Sequence, residues 1–354
     1  MPREEPSRGT NPFEGIAPII RADALAYAVF QRRDPETMSR FLSDFGFTRI
    51  GTPGPSLCFR GFADLPYCVE IIPGEEDRFV GFGLLAEKPG DLEALAQHAA
   101  VPVQTSAKPG GGRCVRLVDP NGFVIELLDG IERVEPIVAG GAIESVNTPW
   151  DKRRVNVGVR PPAGPAPVRG LGHVVLQTPD FDGTVRWHMK HFGYLATDIL
   201  QTSSGHTGLG FFRLDRGSKP ADHHSLAILA GPAAGLLHMS TETVDLDAVG
   251  QGQQHLKSQG WRHHWGIGRH ILGSQIFDYW KDPAGDEWEH YADGDVMDST
   301  YPTGVHLLDR GGLWAWGDDL PASMRPPGPA PAEAPEMVRE LVDALLKRPR
   351  PWLD

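Results

Sequence analysis

Apolar residues along this chain fall in short runs separated by polar turns. In the first 130 residues the runs Ile20–Phe30, Leu57–Phe59, Tyr67–Ile72, Phe79–Leu85, Arg113–Leu117 and Phe123–Leu128 read as strands. Pro35–Phe45 and Leu92–Ala99 read as helices. The order is strand, helix, then three strands, and it recurs four times along the chain. A unit of this kind is an open sheet with one apolar face, which needs a partner unit to cover it. The expected fold class is therefore α+β, with four βαβββ modules paired into two domains.

The pairing rests on an internal repeat. Leu25-Ala26-Tyr27-Ala28-Val29-Phe30-Gln31 aligns with Leu171-Gly172-His173-Val174-Val175-Leu176-Gln177, 146 residues later. An acidic residue follows each, Asp34 and Asp180, and then a helical stretch ending in Phe45-Gly46-Phe47 or Phe192-Gly193-Tyr194. A glycine there stops a helix and turns the chain into the next strand. Asp119-Pro120-Asn121-Gly122 matches Asp282-Pro283-Ala284-Gly285, a tight-turn signature. Both turns lead into a short strand with a glutamate at the same offset, Glu126 and Glu289.

Composition narrows the function classes. At 354 residues with 40% hydrophobic content, the chain can bury a sizeable core. Its net charge of −12, without a basic run, excludes nucleic acid as the main partner. No apolar stretch approaches the roughly 20 residues needed to cross a bilayer, and residues 1–10 carry no apolar signal core. Cys58, Cys68 and Cys114 form no CxxC pair, which suits a reducing compartment, so a cytoplasmic location is expected.

Candidate chemistry emerges from what the second half has and the first lacks. His173 lies on the opening strand of the third unit, where the first half has Tyr27; His238 lies on the opening strand of the fourth, whose counterpart Arg78–Ala86 has no histidine. Glu289 lies on the closing strand of the fourth unit. Two neutral imidazoles and one carboxylate form a facial triad with open coordination positions, suited to Fe(II) or Mn(II); zinc fits less well.

The second half resembles the type I extradiol ring-cleaving dioxygenases of the vicinal oxygen chelate superfamily. The matching residues are Gly172-His173-Val174, Asp222-His223-His224-Ser225-Leu226, Leu237-His238-Met239, Gly268-Arg269-His270, Phe277-Asp278-Tyr279-Trp280 and Glu289-His290-Tyr291. Leu237 stands where many members have another histidine. The resemblance implies a metal-free domain over 14–140, a proline-rich linker over 141–169, a catalytic domain over 170–296 and a C-terminal extension over 297–354. It implies His173, His238 and Glu289 as ligands of Fe(2+), with Mn(2+) an alternative ion. It implies His224 as the acid/base, and His270 and Tyr279 as hydrogen-bonding partners of substrate. The choice between His223 and His224 stays open, because the segment between His224 and His238 is about one residue short of the family pattern. The implied reaction is extradiol cleavage of a catechol by O2, giving a 2-hydroxymuconic semialdehyde-type product. The rival readings are a glyoxalase-like metal-dependent isomerase or lyase, and a non-catalytic protein that binds aromatic ligands.

Other residues receive blander expectations. His188 and His191 are expected on the solvent face of a helix, beside buried Trp187 and Phe192. His263 and His264 are expected to line the pocket or lie in a surface loop, and His206 in a loop. His290 should face away from Glu289, because neighbouring strand residues alternate. Glu126 is expected to be solvated or salt-bridged. Trp314 and Trp316 are expected either over the cavity or packed on the body. After Pro321–Pro335, residues Glu336–Leu346 read as an amphipathic helix with Met337, Leu341 and Leu345 on one face. The metal-free domain and this tail offer surfaces for a homo-oligomer.

Overall fold

The computed structural model describes residues 10–52, 54–139, 146–161 and 163–347. The first module is β1 (Ala22–Arg32), α1 (Pro35–Phe45), β2 (Thr48–Ile50), β3 (Leu57–Arg60) and β4 (Val69–Pro73). The second is β5 (Arg78–Ala86), α2 (Asp91–Ala99), β6 (Gln104–Thr105), β7 (Arg113–Val118) and β8 (Val124–Asp129). The third runs through β9 (Val168–Thr178), α3 (Phe181–Phe192), β10 (Tyr194–Gln201), β11 (Thr207–Leu214), the short β12 (Ala221–Asp222) and β13 (Leu226–Ala230). The fourth has β14 (Gly235–Thr243), α4 (Leu246–Ser258), β15 (Arg262–His270), β16 (Ile276–Lys281) and β17 (Glu287–Ala292). A tail adds β18 (Val296–Met297), β19 (Gly304–Leu307), β20 (Trp314–Trp316) and α5 (Glu336–Leu346).

Local chemistry explains the helix ends. Asp34 accepts a hydrogen bond from the Thr37 amide at 2.9 Å, Pro35 presets the first turn, and Gly46 ends α1 at φ 114°. Asp180 and Gly193 cap α3 likewise, with a 3.0 Å bond from the Gly183 amide and φ 73°. The equivalent helices of the two halves are thus capped by the same device.

The sheets carry the repeat into three dimensions. One sheet has the order β2-β3-β4-β1-β5-β8-β7-β6, and the other β19-β10-β11-β13-β9-β14-β17-β16-β15-β20. At the centre of each, two opening strands pair antiparallel, β1 with β5 and β9 with β14. Each is flanked by a parallel closing strand of its own module, β4 and β8 or β13 and β17. The fold is α+β, built of four βαβββ modules paired two and two.

One apolar core continues across the two halves. Phe30 and Phe45 of the first half pack on Trp288 at 5.2 and 5.9 Å, and Phe41 on Trp261 at 5.3 Å. Buried Arg32 reaches across to Asp282 at 2.9 Å and Asp286 at 2.5 Å. Of the linker expected over 141–169, residues 141–145 and 162 lie outside the described residues; the remainder is irregular until β9 begins at Val168. Ala166 is buried there. The tail helix matches its expected bounds and buries Leu341 and Ala344 on the body. Residues 348–354 of the extension also lie outside the described residues.

Candidate metal centre

His173, His238 and Glu289 come from three strands adjacent in one sheet, β9, β14 and β17. Side chains alternate across a strand, so which face each residue takes is set by register. Ser240 pairs with Glu289, which places His238, two residues away, on the face Glu289 occupies. The three strands lie side by side because the opening strands β9 and β14 pair directly.

The three ligand-type atoms form a near-equilateral triangle. His173 Nε2 lies 3.1 Å from Glu289 Oε2 and 3.3 Å from His238 Nε2, and His238 Nε2 lies 3.5 Å from Glu289 Oε2. A point equidistant from them is about 1.9 Å from each, close to the roughly 2.1 Å typical of imidazole ligation, so these three atoms would be able to hold one ion together. Glu289 and His173 are buried, and neither Glu289 oxygen has a hydrogen bond of normal geometry. Converging acceptors without donors suit a cation, and the N2O set fits iron or manganese. Among the described residues this is the one cluster of three such groups close enough to share an ion.

The electrostatics agree with a ligating state. Burial takes the His238 imidazole down to about 4, against the partial opposition of the Glu289 charge. Burial pushes the Glu289 carboxyl up, but the His173 and His270 imidazoles beside it outweigh this and hold it well below the usual range. Neutral histidine and ionised glutamate are the forms that bind metal.

Three further expected residues surround the triangle. The His224 ring lies 4.0 Å from that of His173, and burial with the nearby His173 and His223 holds it well below its ordinary value. Tyr279 pairs with Glu289 across β16 and β17, and its hydroxyl lies 3.0 Å from His270 Nε2. His270 Nδ1 lies 2.7 Å from the Leu313 carbonyl, which can only accept, so Nδ1 carries a hydrogen; in a neutral ring Nε2 is then the acceptor of the Tyr279 hydroxyl. Burial and the Glu289 charge push the Tyr279 phenol well above its ordinary range, so it stays protonated. His223 turns the other way: its Nε2 contacts Asp198 Oδ2 at 2.6 Å.

Several expectations need correction or refinement. His188 is buried rather than solvent-facing, stacked on Phe82 of the first half at 6.1 Å and 3.5 Å from Asp119; Trp187 is the half-buried one. An isolated α3 would expose that face, but the other half covers it. His191 is half-buried, with Nδ1 2.7 Å from the Trp187 carbonyl. His263 and His264 lie on β15 rather than in a surface loop, His263 2.7 Å from Asp278 and His264 paired with Glu287. His206 lies between β10 and β11, as expected of a loop residue. His290 turns away from Glu289 and binds the Phe45 carbonyl at 2.7 Å. Glu126 is buried and salt-bridged, to Lys108 and Arg116. Trp314 is buried against Trp265, which stacks on Tyr279, whereas Trp316 is exposed. Sequence reasoning missed Asp198 and His306, whose strand positions carry no local signal.

A model of the Glyoxalase/Bleomycin resistance protein/Dioxygenase superfamily matches residues 170–290. Metapyrocatechase 2 of Cupriavidus necator is 28% identical over 81% of this chain and 87% of its own. The iron-dependent extradiol dioxygenase of Rhodococcus jostii is 25% identical over 86% and 99%. The Mn(II)-bound glyoxalase from Novosphingobium aromaticivorans has the same fold, with a TM-score of 0.71 at 23% identity over 90% of this chain and 97% of that one. So does homoprotocatechuate 2,3-dioxygenase from Brevibacterium fuscum, at a TM-score of 0.71, 18% identity and coverage of 88% and 93%. With its site built on adjacent strands of a duplicated βαβββ fold, the segment 170–290 is a domain of the Glyoxalase/Bleomycin resistance protein/Dioxygenase superfamily, within a chain whose relatives are extradiol dioxygenases.

Proposed function

We propose that this protein is an extradiol dioxygenase of aromatic catabolism that opens a catechol-type ring with O2, using Fe(II) held by His173, His238 and Glu289. Mn(II) would take the same ligands. The supporting observation is the three-atom triangle at 3.1–3.5 Å, with His224, Tyr279 and His270 grouped around it. Bound iron supplies chelation of both catechol oxygens, a lowered phenol pKa and a route for charge to O2. The chain supplies the proton handling. His224, neutral in its buried position, takes a proton from a substrate hydroxyl and returns it later in the cycle. The Tyr279 hydroxyl, protonated and steadied by His270, turns to donate to the anionic oxygen that develops. The product is of the 2-hydroxymuconic semialdehyde type, with both oxygen atoms incorporated.

In this reading residues 170–296 are the catalytic domain, 14–140 a metal-free partner domain and 297–354 an extension. A glyoxalase-like isomerase would use the triad without needing His224, His270 and Tyr279 together, and a pure binding protein would need no triad. Three free, buried cysteines and the absence of any helix long and apolar enough to cross a membrane among the described residues support a cytoplasmic enzyme. Association of copies through the first half or the tail is part of the proposal, to be read by sedimentation.

The test is anaerobic reconstitution with Fe(II), then oxygen uptake and absorbance over a panel of catechols. Uptake with a yellow product is expected; an iron-loaded protein that consumes no O2 with any of them would overturn the reading. His238→Ala should lose the iron, and near-stoichiometric iron in that variant would refute the ligand set. His224→Phe should keep iron and catechol binding while turnover falls roughly 10²- to 10⁴-fold. Undiminished turnover there would remove its proton role.

A further inference from the structure

His224 is the end of a line of four side chains. Its Nδ1 lies 2.9 Å from His223 Nδ1, His223 Nε2 lies 2.6 Å from Asp198 Oδ2, and Asp198 Oδ1 lies 2.6 Å from His306 Nε2. His224, His223 and Asp198 are buried, and His306 is half-buried at the outer end. Asp198 is on β10 and His306 on β19, the tail strand that pairs with it.

For neutral imidazoles the contacts allow one arrangement of hydrogens. Burial pushes the Asp198 carboxyl up, but its bonds to His223 and His306 more than compensate and keep it ionised. A carboxylate only accepts, so His223 Nε2 carries a hydrogen. If His223 is neutral, its one N–H is spent on Asp198, so Nδ1 is bare and His224 Nδ1 donates to it. His224 is left with Nε2 as its basic nitrogen. We propose that Asp198, steadied by His306 and acting through His223, holds His224 in the Nδ1-protonated tautomer, so that Nε2 is the base offered to substrate. Asp198, His223 and His306 are positioning residues, and this role rests on the reaction proposed above.

Two observations support the assignment. Gly304 pairs with Asp198, and a Cβ there would lie 2.1 Å from Asp198 Oδ1 and 2.6 Å from His306 Nε2, so a larger residue would force these two side chains to shift. The tail also fixes His270 by the same logic, through the Leu313 carbonyl beside β20. The extension therefore orients both imidazoles that flank the triad.

The test reads the tautomer directly, by long-range proton–nitrogen NMR of isotope-labelled histidines in the metal-free protein at neutral pH, with His224 assigned from the spectrum of His224→Phe. The wild type should show His224 protonated at Nδ1 and bare at Nε2. In Asp198→Asn the amide can donate to His223 Nε2, which should exchange the tautomers of His223 and His224. The reconstituted variant should then lose about 10- to 100-fold in kcat with KM little changed. Wild-type His224 protonated at Nε2, or a tautomer unaltered in Asp198→Asn, overturns the proposal, and so does an exchanged tautomer with full kcat. If Asp198→Asn does not fold, His223→Gln, whose carbonyl can accept from His224 Nδ1, should keep the wild-type tautomer and most of kcat, whereas His223→Leu should lose both; equal behaviour of the two overturns the proposal. A wild type that cleaves no catechol would refute the reaction while leaving the measured tautomer standing, so the two failures are distinguishable.

Discussion

Replacing Lys108 by methionine tests what holds a buried glutamate in the half where Tyr27 replaces the triad histidine. Glu126 stands at the position of Glu289, and Tyr27 at that of His173. Between them the Lys108 ammonium lies 3.1 Å from Glu126 Oε2, 3.0 Å from Glu70 Oε2 and 3.2 Å from the Tyr27 hydroxyl, and 4.3 Å from the centre of the Tyr27 ring. A lysine cation thus does in the first half what a metal ion would do in the second. Both carboxylates are buried, and removing one partner of a buried pair costs about 3–5 kcal/mol, because the remaining charge is stranded. Arg116 still binds Glu126 Oε1 through two nitrogens at 2.9 and 2.6 Å, so Glu70 is the charge left without an ion-pair partner. Lys108→Met should therefore destabilise by about 3 kcal/mol, the lower end of the range. Adding Glu70→Gln removes the stranded charge and should recover about 1–2 kcal/mol of that loss. Equilibrium urea unfolding followed by circular dichroism measures both. A single variant within about 0.5 kcal/mol of the wild type, or a double variant no better than the single, would refute the argument that Lys108 neutralises this site.

Two further predictions concern the second half. Tyr279→Phe removes the hydroxyl 3.0 Å from His270 and should cut kcat/KM by roughly 100-fold or more, with unfolding little altered; unchanged kinetics would mean that Tyr279 only packs. On acidification, burial keeps His238 and His290 neutral in the folded chain down to about 4, while the unfolded chain takes up their protons near 6.5. The unfolded state thus binds more protons across that window, so stability of the metal-free protein should fall as pH drops from about 6.5 to about 4. The loss is roughly 3 kcal/mol for His290 at the bottom of the window, and urea midpoints that stay level or rise on acidification would contradict it.

Buried polar groups at the join between halves give the domains a fixed relation. Arg32 with Asp282 and Asp286, and His290 with the Phe45 carbonyl, cross from one half to the other inside the shared aromatic packing. His290 is the strand neighbour of Glu289, so the first half, which lacks the triad, holds the back of the strand that presents the carboxylate. This is a structural use for a half that lacks the two histidines of the triad.

What the sequence determined by itself was whatever depends on neighbours a few residues away. The bounds of α1 were legible because Asp34, Pro35 and Gly46 act within one turn of the helix they cap, and α5 was legible because Leu341 and its helical neighbours declare one face. The duplication was legible too, and comparing its halves pointed to His173, His238 and Glu289, with the family resemblance adding His224, His270 and Tyr279. The two- and three-residue strands β2 and β6 were not legible, since so short a run has no period to detect. Only the tertiary structure could send His223 to Asp198 and leave His224 beside His173, because adjacent side chains diverge according to what lies opposite, and Asp198 is supplied from another strand. Only it could bury His188, whose cover comes from Phe82 and Asp119 of the other half, and bring His306 and Leu313 from the tail to the site. Contacts between segments so distant in the chain leave no local pattern, because the free energy that selects them is paid back only when the whole sheet closes.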